Sequence, residues 1–100
     1  MYVTRHAEMR IRERLGIPKS AVKRNATKAL NDGIPYCETN GALKTYLQWL
    51  FFQRQEANNI RVMCRYVYLF QEELLITVIQ LPSEYRKIAD KLTRRKKSNA

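Results

Sequence analysis

One histidine and two arginines carry the most chemistry in this chain of 100 residues. His6, Arg10 and Arg14 recur every fourth residue in Thr4-Arg5-His6-Ala7-Glu8-Met9-Arg10-Ile11-Arg12-Glu13-Arg14-Leu15. Residues four apart stack on one helix face, so an imidazole and two guanidiniums line one edge if this segment is helical. Like charges at that spacing disfavour the helix, and a phosphate held by guanidiniums is the simplest ligand that offsets the cost. An imidazole with an ordinary pKa of roughly 6.5 can also give or take a proton. Metal-free cleavage of RNA by its own 2′-hydroxyl needs a base, an acid for the leaving 5′-oxygen, and cations for charge building on the phosphate. His6 suits either proton role, Arg10 and Arg14 suit the phosphate, and Tyr46, Tyr66, Tyr68 and Glu13 are the candidates for the second proton carrier. The plainer readings stand beside this one. A lone histidine near the start of an amphipathic helix is more often a surface or packing residue, and arginines more often contact phosphate without catalysing anything.

Charge points to the same class of partner. The formal net charge is +10, high for one small domain, which implies a polyanion: nucleic acid first, an anionic membrane surface second. Both ends are basic, with eight Lys/Arg against two acids in residues 1–28 and seven against two in residues 82–100, whereas the middle is neutral and apolar. A core built by the middle therefore carries two cationic surfaces, or one if the ends meet. The 45% hydrophobic content, with three glycines and three prolines, argues for one folded domain with a single core.

Several chemistries are set aside. Cys37 and Cys64 are far apart, with no CxxC or HxxxH partner, so neither a disulfide framework nor a metal site is expected, and a reduced, cytoplasmic compartment is the natural setting. No cofactor is implied: GxxxxGK, GxGxxG, HExxH and GxSxG are all absent. No apolar run approaches the roughly 18 residues of a spanning helix, and no signal-peptide pattern is visible.

The elements that must position these residues read as helices first and strands later. Thr4 is placed to cap the first helix, although Ala7 stands where a capping box needs Glu; Ala7, Ile11 and Leu15 form its buried stripe and Gly16 ends it. Pro18 can open a second helix with Val22, Ala26, Ala29 and Leu30 inward and Gly33 as its stop. Residues 34–41 read as a loop with an Asn40-Gly41 turn. Leu43, Tyr46, Leu47 and Leu50 then fit a helical face, while Thr45, Leu47, Trp49 and Phe51 alternate as a strand; helix is the reading taken.

From Asn58 onward the pattern is β. Ile60–Met63, Tyr66–Phe70 and Leu74–Leu81 are rich in β-branched and aromatic residues, with Cys64-Arg65 and Glu72-Glu73 at tight turns, giving a three-stranded antiparallel meander. The last run is apolar on both faces, as in a central strand or one covered by helices. Tyr66, Tyr68 and Phe70 share one strand face, which suits either a stacking platform for RNA bases or, more simply, the core. Trp49-Leu50-Phe51-Phe52 reads in the same two ways, as core or as a contact surface. A short helix through Tyr85, Ile88, Ala89 and Leu92 closes the domain, expected over residues 1–92, and residues 93–100 read as a disordered basic tail. The fold class is α+β.

The opening Thr-Arg-His-Ala-Glu-Met-Arg-Ile-Arg-Glu-Arg, the helix pair and the late Leu-Ile-Thr-Val-Ile-Gln-Leu-Pro strand resemble small phage and bacterial proteins of the barnase, EndoU, colicin and RelE superfold of RNase toxins. The resemblance spans about residues 3–88. It implies that an HxxxR pair, here His6 and Arg10, faces the sheet and contributes to an RNA-cleaving site; Arg14 extends the stripe by spacing alone. Two functions follow. One is a metal-independent ribonuclease of RelE-like type, catalysed by His6 and Arg10. The other is a noncatalytic phage or mobile-element regulator that binds RNA or DNA, or an anti-CRISPR-like inhibitor of a host nucleic-acid machine. In either case the partner is nucleic acid, RNA favoured, with an acidic protein or a host ribonucleoprotein as a further partner and no membrane. The contacts expected are Arg5, Arg10, Arg12, Arg14, Lys19, Arg61, Arg94, Arg95, Lys96 and Lys97.

Overall fold

The computed structural model describes residues 2–98, with side chains described through residue 96. Its elements run β1 (Tyr2–Val3), α1 (Arg5–Leu15), α2 (Lys19–Asp32), β2 (Ile34–Pro35), α3 (Gly41–Gln53), β3 (Asn59–Met63), β4 (Tyr66–Gln71), β5 (Leu74–Gln80) and α4 (Arg86–Ser98). The class is α+β, as the residues imply.

The first helix starts where it docks. Thr4 Oγ1 accepts from the Ala7 amide at 3.1 Å, satisfying one of the orphan donors of the helix start. The same hydroxyl donates to the Ile76 carbonyl at 3.1 Å, and the Thr4 amide donates to Leu75 at 3.1 Å, so one residue caps α1 and pins it to β5. Gly16 ends the helix in the left-handed region at φ 67°, open to a residue without a Cβ. Thr4→Ala is expected to cost about 1–2 kcal/mol through loss of both side-chain bonds. Urea unfolding checks this, and an unchanged midpoint would show that the cap contributes nothing.

The meander forms as expected from Cys64-Arg65 and Glu72-Glu73. Cys64 and Arg65 both adopt positive φ, 51° and 67°, the two-residue turn whose twist matches the flanking strands. Two short strands widen the sheet to the order β1-β5-β4-β3-β2, with β1 parallel to β5 and β2 antiparallel to β3. Residues 34–41 are therefore not simply a loop: Ile34 pairs with Val62 and Pro35 with Arg61, and a 3₁₀ turn spans Tyr36–Glu38. Pro35 is tolerated because β2 is an edge strand. The ambiguous segment after it is helical, with Leu43, Leu47 and Leu50 buried at helical spacing.

Helices cover both faces of the sheet. On one, Ala7, Ile11, Val22, Ala26 and Ala29 of α1 and α2 pack on Tyr68, Phe70, Leu75 and Val78. On the other, Leu43, Leu47, Leu50 and Ala89 of α3 and α4 pack on Ile60, Val62, Val67, Leu69 and Leu81. The N-terminal pair thus supplies only one of two helical layers, which is why β4 and β5 are apolar on both faces. In β5 the pairing passes from Thr77 opposite Leu69 to Leu75 opposite Phe70, leaving Ile76 as an extra residue at a bulge.

The basic end is a second departure from expectation. Residues 93–98 continue α4 rather than forming a disordered tail, and residues 99–100 lie outside those described. Two contacts explain the longer helix: Leu92 packs on the α3–α4 core, and the Lys96 ammonium donates to the Gly33 carbonyl at 3.0 Å. Gly33 has no room for a side chain, since a Cβ there would lie 2.4 Å from the Ala29 oxygen.

Candidate nucleic-acid interface

α1 presents Ala7 and Ile11 to the sheet, both fully buried. At about 100° per residue, that choice turns His6 outward. His6 is exposed, Arg14 is exposed, and half-buried Arg10 holds Glu13 through Nη1 to Oε2 at 3.2 Å. The three do share one edge of the helix, as their spacing predicts, but that edge looks to solvent. The arrangement implied by the RNase resemblance, with His6 and Arg10 facing the sheet, is not adopted, because small and branched apolar side chains bury better against Leu75 and Val78 than ionic ones do. Four surface hollows are lined by other residues.

The candidates for a second proton carrier are engaged by groups other than His6. Glu13 is paired with Arg10. The Tyr66 hydroxyl donates to the Arg14 carbonyl at 2.9 Å, and the Tyr68 hydroxyl meets Asn25 Oδ1 at 2.9 Å. Tyr46 belongs to the α3–α4 side of the sheet, opposite α1, where burial and the neighbouring Tyr85 hydroxyl push its own hydroxyl up. Tyr68 and Phe70 are fully buried, so the strand face read as a possible base platform is core.

Burial pushes the Tyr68 hydroxyl up to about 12, helped by Cys64 and Tyr66 and opposed by its bond to Asn25. Between pH 10 and this value the unfolded chain releases a proton that the folded chain retains, so stability falls as pH rises. The expected loss is about 2–3 kcal/mol by pH 12, read from urea midpoints. Tyr68→Phe should flatten that decline; an equal alkaline loss in the variant would show that Tyr68 is not its source.

The cations fall into two groups. Arg5, Arg12 and Lys19 are exposed on the α1–α2 side, Arg94 and Arg95 on α4, and the Lys97 side chain lies outside the described ones. Arg61 is spoken for: its Nε donates to Asn59 Oδ1 at 3.1 Å within β3. Lys96 is held at Gly33. Sequence reasoning passed over Lys23, Arg24 and Lys28 on α2 and Lys87 and Lys91 on α4, all exposed. Their spacing of four was the available signal: 24 with 28, and 87 with 91.

Only the folded chain shows that the two basic ends meet. Lys28 and Asp32 of α2, Ile34 and Val62 at the sheet edge, and Thr93 and Lys96 of α4 line one cavity of about 320 Å³. Among the described residues the ion pairs are Arg10–Glu13 and Arg65–Asp90, so most of the positive surplus faces solvent unpaired. No helix is long and apolar enough to cross a membrane among the described residues. No family model, curated protein or solved structure matches this chain.

Proposed function

We propose that this chain binds nucleic acid through its exposed helical cations, with RNA as the first ligand to test, and that it does so without cleaving it. The observation that carries the reading is the set of exposed helical cations outside the two ion pairs, Lys23, Arg24 and Lys28 on α2 and Lys87, Lys91, Arg94 and Arg95 on α4, whose helices meet at the β2 edge where Lys28 and Lys96 line one cavity with Asp32. Bringing like charges together across a fold costs free energy that a polyanion offsets. Binding is preferred to cleavage because His6 stands on an open edge, Tyr68 and Tyr46 pack away from it, and Tyr66 and Glu13 are held by Arg14 and Arg10 rather than by the imidazole. Without a second proton carrier, a single exposed imidazole has no water-excluding site in which to act. The exposed, unbridged Cys37 and Cys64 suit a reducing, cytoplasmic setting. An acidic protein could occupy the same cationic surface, which is how a regulator or inhibitor of a host nucleic-acid machine would be controlled.

Fluorescence anisotropy with labelled RNA in excess chelator tests the reading. The expected result is saturable binding with the RNA recovered at full length. Absence of binding overturns it. Fragments bearing 2′,3′-cyclic phosphate ends, lost in His6→Ala, would reinstate the cleaving alternative in its place.

A further inference from the structure

The outer side of α3 carries exposed aromatic surface that the core does not use. Trp49 is 54% exposed and Phe52 72% exposed, one helical turn apart. Tyr2 at the chain start is exposed singly, whereas Trp49 and Phe52 lie together on one helix, and large side chains left in water together mark a contact surface. Their arrangement says more than their exposure. The Tyr46 ring stacks on Tyr85 at 4.7 Å between centroids and on Trp49 at 6.1 Å, each pair within 24° of parallel. Tyr85, Tyr46 and Trp49 therefore form a short ladder of rings, and its last rung, Trp49, is half open to solvent.

The Tyr85 end of the ladder leads into a strongly basic helix. Tyr85 leads directly into α4, where Lys87, Lys91, Arg94 and Arg95 are all exposed. Steps of four and three place Lys87, Lys91 and Arg94 in one row, opposite the inward Ala89 and Leu92. Of the two acids on this stretch, Asp90 is held by Arg65 at 3.2 Å, which leaves Glu84 against four exposed cations. An apolar protein partner has no use for that row, and an acidic one has little use for the rings. A ligand with flat faces and regularly spaced negative charge uses both.

Building on the nucleic-acid reading above, we infer that single-stranded nucleic acid is the ligand of this α3–α4 face: an unpaired base stacks on Trp49 to extend the Tyr85–Tyr46–Trp49 ladder, while its phosphates follow Lys87, Lys91 and Arg94. The interior of a duplex cannot make the first contact, because its bases already stack on one another. The face is sequence-tolerant, since every base has a π-face. It is distinct from the α1 edge of His6, Arg10 and Arg14, which lies across the sheet.

Trp49 is the only tryptophan in the chain, so its fluorescence reports on this face alone. The probe is an oligouridylate of about 12 nucleotides, compared with a duplex of equal length. The single strand is expected to quench Trp49 emission saturably, and the duplex, which offers only its two end pairs, to quench it far more weakly at equal concentration. Trp49→Ala should weaken anisotropy-detected binding of the oligouridylate by about fivefold to a hundredfold, with Trp49→Phe recovering part of the loss. Both variants replace a half-exposed ring, and far-UV circular dichroism confirms that each is folded. Unquenched emission together with unaltered affinity in Trp49→Ala, while binding stays salt-sensitive, overturns this inference and leaves the nucleic-acid reading standing. Absence of binding to any nucleic acid removes both. Self-association through this face, abolished by Trp49→Ala and indifferent to the oligonucleotide, also overturns the inference and makes the face a protein contact.

Discussion

Val78→Asp is expected to leave the chain unfolded at neutral pH. Val78 is fully buried in the layer formed by α1, α2 and the sheet, paired across β4–β5 with Tyr68 and packed in the same cluster as Ala7 and Ile11. A carboxylate there has no cation within the cluster, and an unpaired buried charge costs several kcal/mol, in addition to the lost packing of an isopropyl group. Domains of this size are stable by only about 5–15 kcal/mol, so a single such charge removes much or all of the margin. Lys87→Ala, on the exposed row of α4, is the control and should stay within about 0.5 kcal/mol of the parent. Far-UV circular dichroism and thermal melting separate the two. A cooperatively folded Val78→Asp at neutral pH would mean that α1 and α2 do not seal this face.

The second large effect is on binding. If about four phosphates are neutralised, the affinity for single-stranded RNA should fall roughly fiftyfold between about 50 and about 200 mM salt, because each contact releases a condensed counterion. The slope, more than the affinity, counts the contacts. Replacing Lys87 and Lys91 with alanine together should make the log–log slope shallower by about 1.4 at unchanged fold. Affinity indifferent to salt would overturn the electrostatic reading, however tight the binding.

Much of the scaffold was legible because its signals are local. The Thr4 cap, the Gly16 stop, the α2 stripe of Val22, Ala26 and Ala29, and the two tight turns of the meander each depend on residues within a few positions of one another. The short edge strands were not legible. Tyr2–Val3 and Ile34–Pro35 are each two residues long, and a period of two cannot show itself in two residues; they are strands only because β5 and β3 offer them partners. The extension of α4 to Ser98 was hidden in the same way. Its basic composition reads as solvated chain, and the contact that holds it, Lys96 to Gly33, joins residues far apart in sequence.

The candidate site divides along the same line. Spacing determined that His6, Arg10 and Arg14 share a helix edge, because helical periodicity is a property of the backbone alone. Which edge is buried was decided by packing: Ala7 and Ile11 fit against Leu75 and Val78, and that fit turned the histidine away from the sheet. Composition determined the sign and size of the charge, +10, which needs no fold to favour a polyanion over other ligands. Tertiary structure alone decided where that charge gathers, by bringing Lys28 and Lys96 to one cavity and stacking Tyr46 of α3 on Tyr85, the residue that leads into basic α4. The reason is physical: caps, turns and periodicities act over a few residues and are written in the chain, whereas the choice of buried face and the meeting of distant charges are settled by the competition among all surfaces for one core.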